Sequence, residues 1–410
     1  MRVLVGLHHL ELGGSQLNAL DLATKIRDRG HHVEVFATHT DTPGPVADLV
    51  RARGLPLTLA RHPRERPARG ALYRPSVAAA MTELARTARI DLVHAYEYPL
   101  ILDAFYGPHL RLGAELAGTV YAMAVPTWLP GHATLVAGTR DLVHGARAVG
   151  QRAVLIEPPV DTDSDDPVAV DGLAFRRAYG IADDELAVVV VSRLEPDMKE
   201  EGIAGAMGAI KELGDPRLRF VVVGTGPSVD SLARRAAEVN TALGREAITM
   251  TGALADPRPA YAAADIALGM GGSALRAMAF GKPLVVLGVK GFSRPFDESS
   301  CAHFFEAGFF GVGDGHPDPI AAQLAELAGD SDRRTRLGAL SRRVVLERYS
   351  LDVATDTLER LYGEALAKRH GTAFRVRAAV RTALHRTAAD LAGNVLRTRL
   401  RPLVRRVLSR

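Results

Sequence analysis

Cysteine is almost absent from this 410-residue chain. The one thiol, Cys301, excludes an intrachain disulfide framework, and no Cys/His cluster has the spacing of zinc ligands. A reducing cytoplasm is the fitting location. No uninterrupted apolar run of about 18 residues occurs, so no transmembrane helix is expected. The apolar start, residues 1–7, is too short a run for a signal peptide. Acidic residues are nearly missing from one stretch: between Lys368 and Arg410, twelve Lys or Arg residues face a single Asp390. The whole chain carries +4, and without that stretch it is net acidic, so the basic character belongs to the tail. Beyond Phe374 the tail has no Phe, Tyr or Trp to stack on bases, which argues against nucleic acid as a partner. What is present is ordinary for a globular enzyme: 47% hydrophobic and 24% charged residues, in a chain long enough for two domains.

Residues 2–7 read as a first parallel strand. The glycine loop Leu10-Glu11-Leu12-Gly13-Gly14-Ser15-Gln16 follows, then an amphipathic helix over 17–29 with Leu17, Leu20, Ala23 and Ile26 on one face. A second strand over 32–37 makes this a βαβ opening, which predicts a parallel sheet. The Pro-, Arg- and Gly-rich stretch 43–75 predicts long loops, and a helix over 77–88 and strands near 91–95, 116–120, 133–136 and 153–156 complete the first half. Residues 158–171, with Pro158-Pro159 and a run of aspartates, break helix and strand alike and mark a hinge. Beyond it the rhythm restarts: strands over 186–191, 219–223 and 248–250, helices over 203–213, 229–239 and 259–264. The expected architecture is α/β, two Rossmann-like β/α/β domains.

The most informative stretch runs from Ala264 to Val286. It reads as a buried strand, a glycine turn at Gly269, Gly271 and Gly272, and a helix opening near Ser273, an N-cap candidate. Gly281-Lys282-Pro283 ends that helix before the next strand. Glycines ahead of a helix let backbone N–H groups close on an anion, with the helix dipole adding to the attraction. Taken alone, such a motif is more often an ordinary strand–turn–helix joint.

Within a set of four motifs and a closing segment it resembles the GT-B glycosyltransferases of the glycosyltransferase family 4 type, over about residues 1–367. The segments are Gly13-Gly14-Ser15-Gln16, Ser192-Arg193-Leu194-Glu195-Pro196-Asp197-Met198-Lys199, Val223-Gly224-Thr225-Gly226-Pro227, and Thr251-Gly252 running into Ala277-Met278-Ala279-Phe280-Gly281-Lys282-Pro283, closed by Arg343–Ser350. The resemblance implies a GT-B fold: an acceptor domain over 1–157, a hinge over 158–171, and a nucleotide-sugar domain over 172–350. Their parallel sheets would face a cleft, with a helix over 351–367 crossing back to the first domain. It implies a nucleotide-sugar donor, a UDP-sugar being preferred, as co-substrate and a sugar, lipid-linked or small-molecule acceptor. No cofactor and no metal are expected. By the same resemblance Arg193 and Lys199 grip the donor diphosphate, helped by Gly14 and the amides at Gly271, Gly272 and Ser273, while Gly224, Gly226 and Gly252 line the nucleotide.

The chain departs from the family pattern at two places. The second Glu of the family's pair, which holds the nucleotide ribose, is replaced by Arg276, and eight residues earlier stands Leu268. Arg276 either points to the phosphates or lies on the exposed helix face. The family's sugar-proximal His is replaced by Tyr121, a poor base at neutral pH. Retention or inversion of the anomeric centre is therefore left open. The candidate bases for inversion are Glu97, His9 and His8, with Glu97 favoured for its place after His-Ala-Tyr. His94 reads as a packed core residue. Asp297 either reaches the sugar or belongs to a surface loop. Two rivals are a GT-B sugar-nucleotide epimerase and a non-catalytic partner that kept the nucleotide pocket. In residues 368–410, Val376, Val380, Leu384, Leu391 and Val395 recur at helical spacing among arginines. Such a basic amphipathic helix suits an anionic membrane surface, placing the chain peripherally on the inner face of the cell membrane, or docks on its own domain or a dimer partner.

Overall fold

The computed structural model describes residues 1–62, 71–121, 124–316 and 320–408, with side chains described as far as 390. The chain divides into two compact units, Met1–Glu157 with Ala354–Arg410, and Pro158–Val353.

The first unit is built on seven parallel strands: β1 (Arg2–Leu7), β2 (His32–His39), β3 (Leu57–Arg61), β4 (Leu92–Tyr96), β5 (Glu115–Val120), β6 (Thr134–Ala137) and β7 (Arg152–Leu155). Their order is β3-β2-β1-β4-β5-β6-β7. β1, β4 and β5 are buried along nearly their whole length, as the inner strands of a parallel sheet are. The sheet reverses direction of growth between β1 and β4, which pair in register from Val3↔Leu92 to Gly6↔Ala95.

The second unit carries β8 (Leu186–Val191), β9 (Leu218–Val223), β10 (Ile248–Gly252), β11 (Ile266–Gly269), β12 (Leu284–Leu287) and β13 (Ser293–Pro295) in the order β10-β9-β8-β11-β12-β13. Only β13 is antiparallel. Here the growth reverses between β8 and β11, paired Ile266↔Val188 to Leu268↔Val190. In open α/β sheets ligands bind outside the carboxyl ends of strands at such a switch point. The loops that leave β1 and β4 in one unit, and β8 and β11 in the other, are therefore the places to look.

Two sequence expectations need correcting, and the tail is helical as expected. The stretch expected as loops holds a helix, Val46–Ala52, and the edge strand β3, both anchored by apolar residues that the Pro and Arg content masked. The helix expected over 17–29 begins a turn earlier and spans Gly14–Asp28, so Gly13 and not a polar residue stands at its N-cap. The basic tail is one long helix, Thr372–Leu408. Its first turns are docked: Ala378, Ala379 and Thr382 are buried, the Tyr106 hydroxyl donates to the Ala379 carbonyl at 3.2 Å, and Arg386 lies over the Trp128 ring at 4.1 Å.

Candidate active site

In the second unit the segments singled out by sequence form one layer at the β8/β11 switch point. β8 runs out into Ser192-Arg193-Leu194. The Ser192 amide donates to the Val223 carbonyl at 2.9 Å, and the Leu194 amide donates to the Thr225 carbonyl at 3.0 Å. A β-carbon on Gly224 would sit 1.8 Å from the Ser192 carbonyl oxygen, and one on Gly226 would sit 2.5 Å from that of Leu194. Both glycines also have positive φ, 140° and 158°. Only glycine fits there, because two backbones press together. The structure thus gives Gly224 and Gly226 a packing reason that the motif alone does not state. Gly252 also has positive φ and accepts the Gly224 amide at 2.9 Å.

The loop then makes a single turn, Pro196–Glu200, fastened from below. Ser228 donates to Glu200 at 2.6 Å, Ser231 donates to its other oxygen, and Glu201 accepts the amides of Lys290 and Gly291 at 3.0 and 2.8 Å. Lys199 sits on this turn, half-buried. Among the described residues its ammonium has neither an ion pair nor a hydrogen-bond partner, and burial lowers its pKa to about 8. Arg193 is exposed and bonded to Glu195 at 2.6 Å.

β11 leads into the glycine turn. Gly271, at φ 55° and ψ −130°, is the N-cap of the helix Gly272–Ala279. Ser273, expected there, is the second helical residue, and its hydroxyl donates back to the Met270 carbonyl at 3.0 Å. The Gly271 amide is spent on the Phe309 carbonyl at 2.7 Å. The Gly272 and Ser273 amides have no acceptor among the described residues, and a β-carbon on either Gly271 or Gly272 would meet nothing within 4 Å. Open space over unsatisfied first-turn N–H groups is what an oxyanion needs.

Arg276 resolves differently from either sequence alternative. It makes two parallel bonds of 2.8 Å to Asp165, a buried hinge aspartate, and lies over the Tyr261 ring at 5.4 Å. Asp297 accepts Ser299 Oγ at 2.7 Å and the Ser300 amide at 2.9 Å, closing the turn before the helix Cys301–Ala307.

In the first unit the loops after β1 and β4 meet. His9 lies 3.2 Å from Gln16 Nε2, and Gln16 and Asn18 stand on the first turns of the helix that opens at Gly14. Asn18 Oδ1 accepts the Tyr121 hydroxyl at 3.3 Å, and Glu97 Oε1 accepts the Tyr121 amide at 3.0 Å. Glu97 itself has φ 67° and ψ 149°, between the last residue of β4 and the helix Tyr98–Ala104. A non-glycine residue held there stores strain that the surrounding bonds must offset, as is common at functional sites. Burial raises the Tyr121 hydroxyl well above its ordinary value, so it acts as a neutral donor. His8, T-stacked on His9 at 4.1 Å, is lowered to about 3 by burial, by His9 and by Arg74. His94 is fully packed: it bonds the Tyr362 hydroxyl at 2.6 Å and Thr119 Oγ1 at 2.7 Å, and burial holds it neutral.

The sequence reading missed the pair beneath this loop. Arg74 and Asp103 are 1% and 0% exposed, bonded at 2.8 and 2.6 Å, with the Arg74 amide donating to the same carboxylate at 2.7 Å. Asp103 in the otherwise apolar run from Pro99 to Ala104 was the available signal.

Two parallel-sheet α/β units, each with its loops gathered at a switch point, define the GT-B class of fold. Comparison with known proteins agrees. Residues 185–330 match the family described as glycosyl transferases group 1. A D-inositol 3-phosphate glycosyltransferase of Stackebrandtia nassauensis is 26% identical over 415 residues, with 88% of each chain covered. Among solved structures, Anabaena Alr3699/HepE in complex with UDP superposes with TM-score 0.68 at 16% identity, covering 89% of this chain and 100% of that one. A Rickettsia africae glycosyltransferase does so with TM-score 0.69 at 13% identity, covering 90% and 99%. The chain is a glycosyltransferase of GT-B type, and residues 185–330 of its second unit carry the match to the group 1 glycosyl transferases.

Proposed function

We propose that this enzyme transfers a sugar from a UDP-sugar, without a metal, to an acceptor held by the first unit, in the assembly of an envelope glycan or glycolipid. One observation carries the donor half. At the β8/β11 switch point a half-buried lysine without an acidic partner, Lys199, and two amides without acceptors, Gly272 and Ser273, occupy loops leaving adjacent strands. Diphosphate is the leaving group of a nucleotide sugar, and its growing charge is met by such donors. Arg193 joins them by exchanging Glu195 for phosphate. UDP as the nucleotide is supported by similar structures, among them HepE with UDP-glucose. Glu97 is the group we assign as base should transfer invert.

Thermal shift with UDP, GDP, ADP and dTDP tests this. UDP is expected to raise the melting temperature, and Arg193→Ala and Lys199→Ala to abolish the rise. No rise with any nucleotide would sink the donor assignment. The departure at Arg276 favours one second reading, a non-catalytic nucleotide-binding partner: an arginine paired with Asp165 stands where the family carries its ribose-binding glutamate. UDP binding without transfer or donor hydrolysis would establish it.

For the acceptor side we infer a peripheral position on an anionic membrane, at the cytoplasmic face. On the tail helix Val376, Val380 and Leu384 are 49%, 56% and 65% exposed, four residues apart and flanked by the exposed Arg377 and Arg381. The opposite face is the docked one. Val380→Asp with Leu384→Asp is expected to reduce co-sedimentation with phosphatidylglycerol vesicles about tenfold while leaving folding intact. Unchanged co-sedimentation would refute the membrane reading.

A further inference from the structure

At the N-terminal edge of the first unit's sheet, opposite the loops of the candidate active site, lies a cavity of about 200 Å³. It opens between the starts of β5, β6 and β7 and the turn that joins the helices Leu351–Ala367 and Thr372–Leu408. Glu115, His132, Thr134, Arg152, Lys368 and His370 line it. These six side chains offer a ligand hydrogen-bonding and charged groups beside the apolar Leu116 and Ala365.

The charges on these walls do not cancel. The Glu115 carboxylate is occupied by His370, whose amide donates to it at 3.1 Å and whose ring lies at 3.5 Å. Arg152 donates to Glu364, but that carboxylate is shared with Arg360 at 2.9 Å. Lys368 has no ion pair and no side-chain hydrogen bond among the described residues. Arg375 and Arg381 add positive field from the tail helix. His132 is lowered to about 3, first by burial and then by His109, His370 and Arg381. His109 is held in one tautomer by donating Nδ1–H to the Ala114 carbonyl at 2.8 Å, which leaves its Nε2 to accept from His132 at 3.0 Å. Both rings are thereby neutral, and the charged side chains of the lining are two cations, Lys368 and Arg152, and one carboxylate, Glu115.

We propose that this cavity binds a phosphate ester group, clamped by Lys368 with Arg152, at a site separate from the donor and acceptor loops. Two sources carry that chemistry, a small soluble phosphate ester and the headgroup of an anionic lipid. The cavity stands at the root of the basic tail helix, so a ligand there bears directly on how that helix is held. The inference is independent of the UDP assignment.

The test uses the full chain and two probes, glycerol 3-phosphate followed by calorimetry and phosphatidylglycerol vesicles followed by co-sedimentation. The variants are Lys368→Glu, Lys368→Arg and, as a control of equal net charge, Lys211→Glu in the second unit. Glycerol 3-phosphate is expected to bind wild type in the range of about 1 mM or tighter. Lys368→Glu should weaken it about tenfold, with Lys368→Arg and Lys211→Glu within about threefold of wild type. If only vesicle binding shows that ranking, the ligand is a lipid headgroup. If neither probe separates Lys368→Glu from Lys211→Glu, the proposal is overturned. The UDP-induced rise in melting temperature should be the same in all four proteins, so a failed donor assignment is read separately.

Discussion

Lys199→Ala is expected to lower turnover by about 10²–10³-fold, the range seen when one donor to a developing oxyanion is removed. The turn that carries Lys199 is held by Glu200 and Glu201 and not by Lys199 itself, so the fold should survive the change. The lysine also predicts a pH dependence. Its pKa is about 8 before an anion arrives, because burial penalises the charge with no carboxylate to offset it. A bound diphosphate favours the charged form and raises that pKa. Above about pH 8 the free enzyme must therefore take up a proton to bind, and nucleotide affinity should fall by up to about tenfold per pH unit. Below about pH 8 the lysine contributes no slope. Equilibrium titration of UDP from neutral to alkaline pH checks the sign, and Lys199→Ala should flatten the curve. An alkaline slope that persists in Lys199→Ala would assign it elsewhere.

Asp103→Ala is expected to destabilise the first unit by about 3–5 kcal/mol, because it removes the carboxylate that pairs with the buried Arg74 guanidinium. For a unit of this size that corresponds to a fall in melting temperature of about 10 °C. The double variant Arg74→Met with Asp103→Leu should recover most of the loss, since two apolar side chains impose no unpaired charge. Its recovery separates the charge effect from simple loss of packing, and urea unfolding of both variants measures it. A small effect of Asp103→Ala alone would mean that water reaches Arg74. The pair matters for the site because Asp103 lies on the helix that begins directly after the strained Glu97, and Arg74 caps the helix Pro75–Thr87. Loosening it should relax the conformation of Glu97 as well.

How far the sequence reached depends on the range of the interactions involved. The alternation of apolar runs, glycine turns and amphipathic helices is local, and it set the βαβ rhythm and, the edge strand β3 apart, the positions of most strands to within a few residues. The order of glycine segments pointed to the family, and one of them, Gly271, answers a local demand, its positive φ at a helix start. The sequence also showed that the positive charge is confined to the tail. Partner choice was out of reach. Arg276 and Asp165 are 111 residues apart, and only the fold shows that they pair. His94 meets Tyr362 across 268 residues, and the tail helix divides into a docked face and an exposed one only once Tyr106 and Trp128 are in place. The cavity beneath β5, β6 and β7 likewise gathers residues from 115 to 370. Local pattern determines which elements form. Which charges cancel, and which stay free to meet a ligand, is decided by neighbours that lie far apart in sequence and meet only in the folded protein.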